Sequence, residues 1–203
     1  MRNLLTTIAI GLVAAVFSTP PAVSQDKTQW EDLLARDLKD WSRTGDGKSP
    51  WRLNAGRSLI CTPAEDTYIP EREFADGTFK FDYRFLPTEH EVGYKASFEL
   101  RKSLTGSGCK ISLGDDCGSL IASIVASSDR AKTLQATPGK SPAMPIGYWN
   151  KVQAELKGKT ITVRINGQEV ASFNKCDTQR GLITLNAEGW GIEFRNVKWK
   201  EAN

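Results

Sequence analysis

Strict two-residue alternation constrains this chain more than any other feature. Thr78–Leu86 (TFKFDYRFL) sets Phe79, Phe81, Tyr83 and Phe85 against Lys80, Asp82 and Arg84. Val92–Arg101 repeats the pattern, with Val92, Tyr94, Ala96, Phe98 and Leu100 opposed by Lys95, Ser97, Glu99 and Arg101. Successive side chains of a strand point to opposite faces, so patterns of this length mark strands buried on one side. Val152, Ala154 and Leu156 continue the period, and Ile161, Val163 and Ile165 follow beyond a Lys157-Gly158-Lys159 turn. Asn166-Gly167 then supplies a strong hairpin signal, because both turn residues must take positive φ. Gln168–Phe173, Gly181–Ala187 and Gly191–Trp199 read as further strands. Only Gln29–Asp40 (QWEDLLARDLKD) reads as a short turn of helix, and Asp129–Pro145 as one long irregular loop. Many short strands with Gly and Pro between them predict an all-β sandwich of two sheets, a jelly roll.

The N-terminus carries a different signal. Arg2 precedes an apolar run from Leu4 to Phe17, which Thr19, Pro20 and Pro21 break, and Ala22-Val23-Ser24 fits the small-x-small rule of signal peptidase. The run is shorter than the roughly 20 residues that span a bilayer, and no cysteine stands at the cut. The expectation is a cleaved signal peptide over 1–24 and a single domain over 25–203, periplasmic or secreted, with no membrane span in the mature form. All four cysteines (Cys61, Cys109, Cys117 and Cys176) fall in the mature part. An even number in an oxidising compartment predicts two disulfides. Proximity suggests Cys109 with Cys117 across a short turn, which leaves Cys61 for Cys176. A single histidine and the lack of a C-x-x-C pair argue against zinc, so neither a metal nor a cofactor is predicted. The formal net charge is +3, with Lys and Arg scattered among acids, which argues against a nucleic-acid footprint.

Common catalytic signatures are missing. A serine-hydrolase triad needs a histidine, and the lone His90 sits in a polar loop (PTEHE) with no G-x-S-x-G elbow in the chain. The paired E-x-D-x-E carboxylates of jelly-roll endo-glucanases do not occur either. Acids able to face a cleft are Asp82, Glu99, Asp115, Asp116, Glu188 and Glu193. Aromatic faces stack on the C–H faces of sugar rings, and Trp51, Trp149 and Trp190 lie in or beside predicted loops. Trp190, bracketed by Gly189 and Gly191, is the ligand candidate; Trp149 reads as core.

Several segments together resemble one family. Asp37-Leu38-Lys39-Asp40-Trp41, Trp51–Cys61 (WRLNAGRSLIC) and Phe79–Phe85 look like the opening of the 3-keto-disaccharide hydrolase family. Gly147-Tyr148-Trp149-Asn150 followed by ELKGKTITVRINGQEV resembles its G-x-W-N … G-x-x-I-T-V-x-x-N-G-x-x-V run. Gly181–Leu185 and GIEFRNVKWKE (Gly191–Glu201) resemble its closing segments. The middle of the chain departs from the family. Lys95–Arg101 (KASFELR) keeps the arginine of an N-S-G-hydrophobic-F-hydrophobic-R strand without the Asn and Gly. Cys109, Lys110 and Ser112 stand where Tyr, Glu and Gln are usual, while Asp115 and Asp116 are retained. Asn186-Ala187-Glu188-Gly189 replaces Q-x-H-G.

The resemblance implies a concanavalin A-like jelly roll and a carbohydrate ligand, with hydrolysis or elimination at a glycosidic bond of a (3-keto-)sugar. Glu99, Asp115, Asp116 and Glu188 are then the candidate catalytic acids. Arg101, Lys95, Lys110 and Trp190 are the candidate substrate contacts, with Arg101 on the concave sheet. A carbohydrate-binding module that lost its catalytic residues is the alternative reading. A third is an envelope interaction module without a sugar ligand.

Overall fold

The computed structural model describes residues 29–89, 92–103, 107–125, 131–136 and 142–202. Residues 1–24, read as a signal peptide, and His90 lie outside the described residues. Fifteen strands run through the described residues. The first five are β1 (Glu31–Asp32), β2 (Trp41–Arg43), β3 (Trp51–Leu53), β4 (Leu59–Cys61) and β5 (Glu65–Pro70). Next come β6 (Gly77–Phe85), β7 (Ala96–Lys102), β8 (Gly108–Ser112), β9 (Leu120–Val125) and β10 (Ala131–Ala136). The last five are β11 (Asn150–Lys157), β12 (Thr160–Ile165), β13 (Gln168–Phe173), β14 (Leu182–Glu188) and β15 (Ile192–Glu201). They form two antiparallel sheets. The first runs β13-β12-β11-β6-β15-β4-β3, with β1 also on β15; the second runs β10-β9-β8-β7-β14-β5-β2. This is the predicted two-sheet jelly roll.

The alternating faces explain why the sheets close on each other. Phe79 and Phe81 of β6 meet Phe98 of β7 across the sandwich, with ring centroids 6.4 and 5.1 Å apart. All three are fully or almost fully buried, as are Tyr83, Leu100 and Phe194. Burying each such side chain contributes about 1.5–3 kcal/mol. At one edge Tyr68 of β5 lies between Trp41 and Trp51, stacked at 5.2 and 5.3 Å, so the aromatic column joins both sheets.

Three sequence expectations change. Gln29–Asp40 forms no helix: β1 pairs with Trp199 and Lys198 of β15, and turns follow. Asp37 and Leu38 both take positive φ there, 53° and 64°, which a right-handed helix does not allow. The irregular stretch 129–145 contains β10, paired along its length with β9. Neither expected pairing, Cys109 with Cys117 or Cys61 with Cys176, is formed; in the structure all four cysteines are buried thiols. Cys117 points to Tyr83, whose hydroxyl is 3.2 Å from the sulfur, and Cys61 Sγ donates to Thr62 O at 3.2 Å. Cys109 faces inward from β8 and meets Cys176 instead of Cys117.

Candidate functional site

Alternation in the second sheet sends Ala96, Phe98 and Leu100 of β7 into the core, so Ser97 and Glu99 take its outer face. The same parity on β14 places Ile183, Leu185 and Ala187 inward and Thr184, Asn186 and Glu188 outward. Register then brings the polar residues together. Ser97 lies opposite both Asn186 and Ser112, and Glu99 opposite both Thr184 and Lys110.

The result is a continuous polar network. Ser97 Oγ donates to Glu188 Oε1 at 2.6 Å and accepts from Asn186 Nδ2 at 3.0 Å. Thr184 Oγ1 lies 3.0 Å from Glu99 Oε2 and 3.1 Å from Asn186 Oδ1, and its one proton serves one acceptor at a time. Cations reach in from neighbouring positions: Lys110 Nζ sits 2.8 Å from Glu188 Oε1, and Lys102 pairs with Glu99 Oε2. Ser97 and Thr184 are wholly buried at the base, whereas the Glu188 and Lys110 side chains remain 31% and 40% exposed. Buried hydroxyls therefore hold a carboxylate and an ammonium that still face outward. Such a set can bind sugar hydroxyls, move a proton at a carboxylate and stabilise negative charge at an ammonium.

The outer face of the first sheet is built differently. Its groove, about 400 Å³, gathers Lys80, Lys151, Arg164 and Lys198 around one acid, Asp82. Asp82 Oδ2 is already taken by Arg195 and Asn196, at 3.1 and 2.8 Å. Trp149, read from sequence as core, lies on this face with Arg195 and Arg84 over its ring, at 3.8 and 4.6 Å.

Residues 29–200 match the family described as the 3-keto-alpha-glucoside-1,2-lyase-like domain. The chain belongs to this family. No curated protein matches it. Among solved structures it is similar to two from Parabacteroides distasonis, both provisionally named glycosyl hydrolases. One has a TM-score of 0.63 at 16% identity, covering 86% of this chain and 100% of that one. The other has 0.65 at 14%, covering 90% and 99%. The Bacillus licheniformis beta-glucanase follows with 0.58 at 12%, covering 89% and 100%. These likenesses show the fold.

Within this lyase-like domain the sequence candidates divide. Glu99, Lys110 and Glu188 share the polar network. Asp116 lies at its edge, where its Oδ1 accepts from the Ser112 hydroxyl, and Lys95 is exposed just before β7. Asp115 turns away: its Oδ2 accepts the Gly93 amide at 2.6 Å, and it lines a separate cavity of about 350 Å³ with Tyr94, Met144 and Asn150. Trp190 packs on Tyr94, with centroids 4.5 Å apart.

Arg101 is a correction. It is wholly buried and does not share the face of Ser97 and Glu99. The ladder slips between Leu182 and Thr184, so Leu100 and Arg101 together oppose Ile183, and Arg101 takes a φ of 53°. A bulge of this kind re-aims the side chain it carries. The guanidinium plugs one end of the sandwich, donating to Gly158 O, Thr178 O and Asp76 Oδ1, the last at 2.7 Å. Gly181 packs against this bulge, where a Cβ would lie 2.7 Å from the Arg101 carbonyl carbon.

Sequence reasoning missed Thr184 and Lys102. Alternation through Leu182–Glu188 was the available signal for Thr184, since it shares parity with Glu188. One glycine underpins the local geometry. A Cβ at Gly114 would fall 1.8 Å from Tyr94 O, the acceptor of the Asp115 amide. Gly114→Ala is therefore expected to lower the thermal midpoint by roughly 5–10 °C, as an overpacked site costing about 1–3 kcal/mol would. Calorimetry of the purified variant checks this.

Proposed function

We propose that this chain is an exported carbohydrate-active protein that cleaves the glycosidic bond of a 3-keto sugar by elimination across C1 and C2. The observation that carries the reading is the Glu188–Lys110 pair at 2.8 Å, seated on the Ser97 hydroxyl at the outer face of the second sheet. A ketone at C3 acidifies the proton on C2. Removal of that proton by one carboxylate forms the C1–C2 double bond as the C1–oxygen bond breaks, and the leaving oxygen takes up a proton. Such a reaction needs one base and one cation near the C3 oxygen, where negative charge develops. Glu188 serves as the base and Lys110 as the cation.

The Glu99–Lys102 pair lies further along the face and contacts the second sugar. Glu99 is opposite Thr184, four residues from Glu188 on β14. Their backbones are thus roughly 13 Å apart at strand spacing, so the two carboxylates serve different parts of the substrate. The family description and the glycosyl hydrolase-like fold support the substrate class.

A second reading, a carbohydrate-binding module, is favoured by one observation. Glu188 Oε1 already accepts from both Ser97 and Lys110, and those contacts occupy the oxygen that a substrate proton would have to reach. A carbohydrate-binding module from Bacillus subtilis shares the fold, with a TM-score of 0.58.

The purified mature protein should release sugar from 3-keto-glucosides and leave unmodified disaccharides intact, as read by chromatography of the products. Saturable binding without release would favour the binding module, and cleavage of unmodified disaccharides would overturn the elimination reading.

A further inference from the structure

The end of the sandwich closed by Arg101 also collects two thiols, and their neighbourhood is well defined. Cys109 lies on β8 between Leu100 of β7 and Ala122 of β9 and points inward, 1% exposed. Cys176 follows β13 and is 4% exposed; its amide donates to Lys159 O at 3.0 Å, which ties it to the β11–β12 turn of the other sheet. The two segments run side by side. Ser107, two residues before Cys109, has its hydroxyl 2.8 Å from that of Thr178, two residues after Cys176. Between these anchors Cys176 Sγ donates to Thr178 O at 3.1 Å, and the Cys109 and Cys176 thiols lie close enough to influence each other, beside the Arg101 guanidinium.

We infer that Cys109 and Cys176 form a disulfide that joins the two sheets at the Arg101 end, while Cys61 and Cys117 remain thiols. The remaining pairings are excluded by place. Cys117 is committed to Tyr83 at the inner face of β6, and Cys61 sits on β4. Burial, with Asp66 nearby, also pushes the Cys61 thiol up to about 12, which leaves it inert as a nucleophile. Cys176 goes the other way, drawn down to about 6 chiefly by the Cys109 thiol beside it and further by Arg101.

The oxidant is a disulfide, either a small one such as oxidised glutathione or that of a thiol–disulfide oxidoreductase. While this end of the sandwich is open, one of the two thiolates displaces one sulfur of that disulfide and forms a mixed disulfide. The other thiol then loses its proton and attacks the protein sulfur of the mixed disulfide, displacing the oxidant's second sulfur. The protein gains one S–S bond and loses two protons and two electrons, and the oxidant leaves as two thiols. Because the bridge spans a long stretch of chain, its gain in stability is large for a single link.

The test uses the purified chain equilibrated in a glutathione redox buffer, alkylated, digested without reductant and mapped by mass spectrometry. The expected product joins the Cys109 and Cys176 peptides, with Cys61 and Cys117 alkylated. Any other pairing, or four alkylated cysteines, overturns the inference. A thermal melt gives an independent measure. Dithiothreitol should lower the midpoint of the oxidised protein by roughly 10 °C and leave a Cys109→Ala/Cys176→Ala variant unmoved. A midpoint indifferent to reductant in the parent protein counts against the bridge.

Discussion

Arg101→Ala is expected to destabilise the protein by about 3 kcal/mol and to lower the thermal midpoint by roughly 10 °C. The guanidinium is wholly buried and serves three acceptors drawn from three separate segments: Asp76 before β6, Gly158 in the β11–β12 turn and Thr178 before β14. Truncation leaves two carbonyls and a carboxylate facing a cavity. Removing one member of a buried pair typically costs 3–5 kcal/mol; the low end applies here because Asp76 is 42% exposed and recovers some solvent. Arg101→Lys keeps the charge but lacks the planar fork that reaches all three acceptors, so an intermediate loss is expected. Thermal melts followed by circular dichroism measure both. An unchanged midpoint combined with lost sugar binding would return Arg101 to the binding site.

Glu188→Gln has the opposite signature. An amide oxygen still accepts from Ser97 and Lys110, and the side chain is partly exposed, so the fold should tolerate the change. Turnover of a 3-keto-glucoside requires the base, and its loss should lower kcat/KM by roughly 10²–10⁴-fold. Binding of the substrate should persist within a few-fold. Initial-rate kinetics alongside calorimetric titration separate the two quantities. Retention of the parental rate would exclude Glu188 as the base, and Glu99→Gln becomes the next variant to test.

The contrast between these two residues shows where sequence was sufficient. Alternation alone put Phe79, Phe81, Phe98 and Leu100 in the core and Ser97 and Glu99 on the far side, because a strand has a fixed period; the place of Glu188 came only from the family resemblance. It also put Arg101 with Glu99, and there it failed. The bulge opposite Ile183 breaks the period by one residue, and no local composition signal marks it: Arg101 carries a positive φ without being Gly or Asn. The same limit applies to Cys109 and Cys176, which are far apart in sequence and meet only because β8 and the segment after β13 converge at one end of the sandwich. Gln29–Asp40 has helical periodicity, yet β15 offers an edge to Glu31 and Asp32, and tertiary pairing overrides the local preference.

Strand order has a further consequence, for biosynthesis. The two strands made last, β14 and β15, lie inside the sheets, β14 between β7 and β5 and β15 between β6 and β4. Until they emerge, each sheet is two halves with no hydrogen-bonded strand between them. The nascent chain therefore cannot complete the sandwich before its last segment appears, since the closing contacts are long-range and form late. Such late closure is compatible with the export proposed above, because a translocation channel passes an unfolded chain.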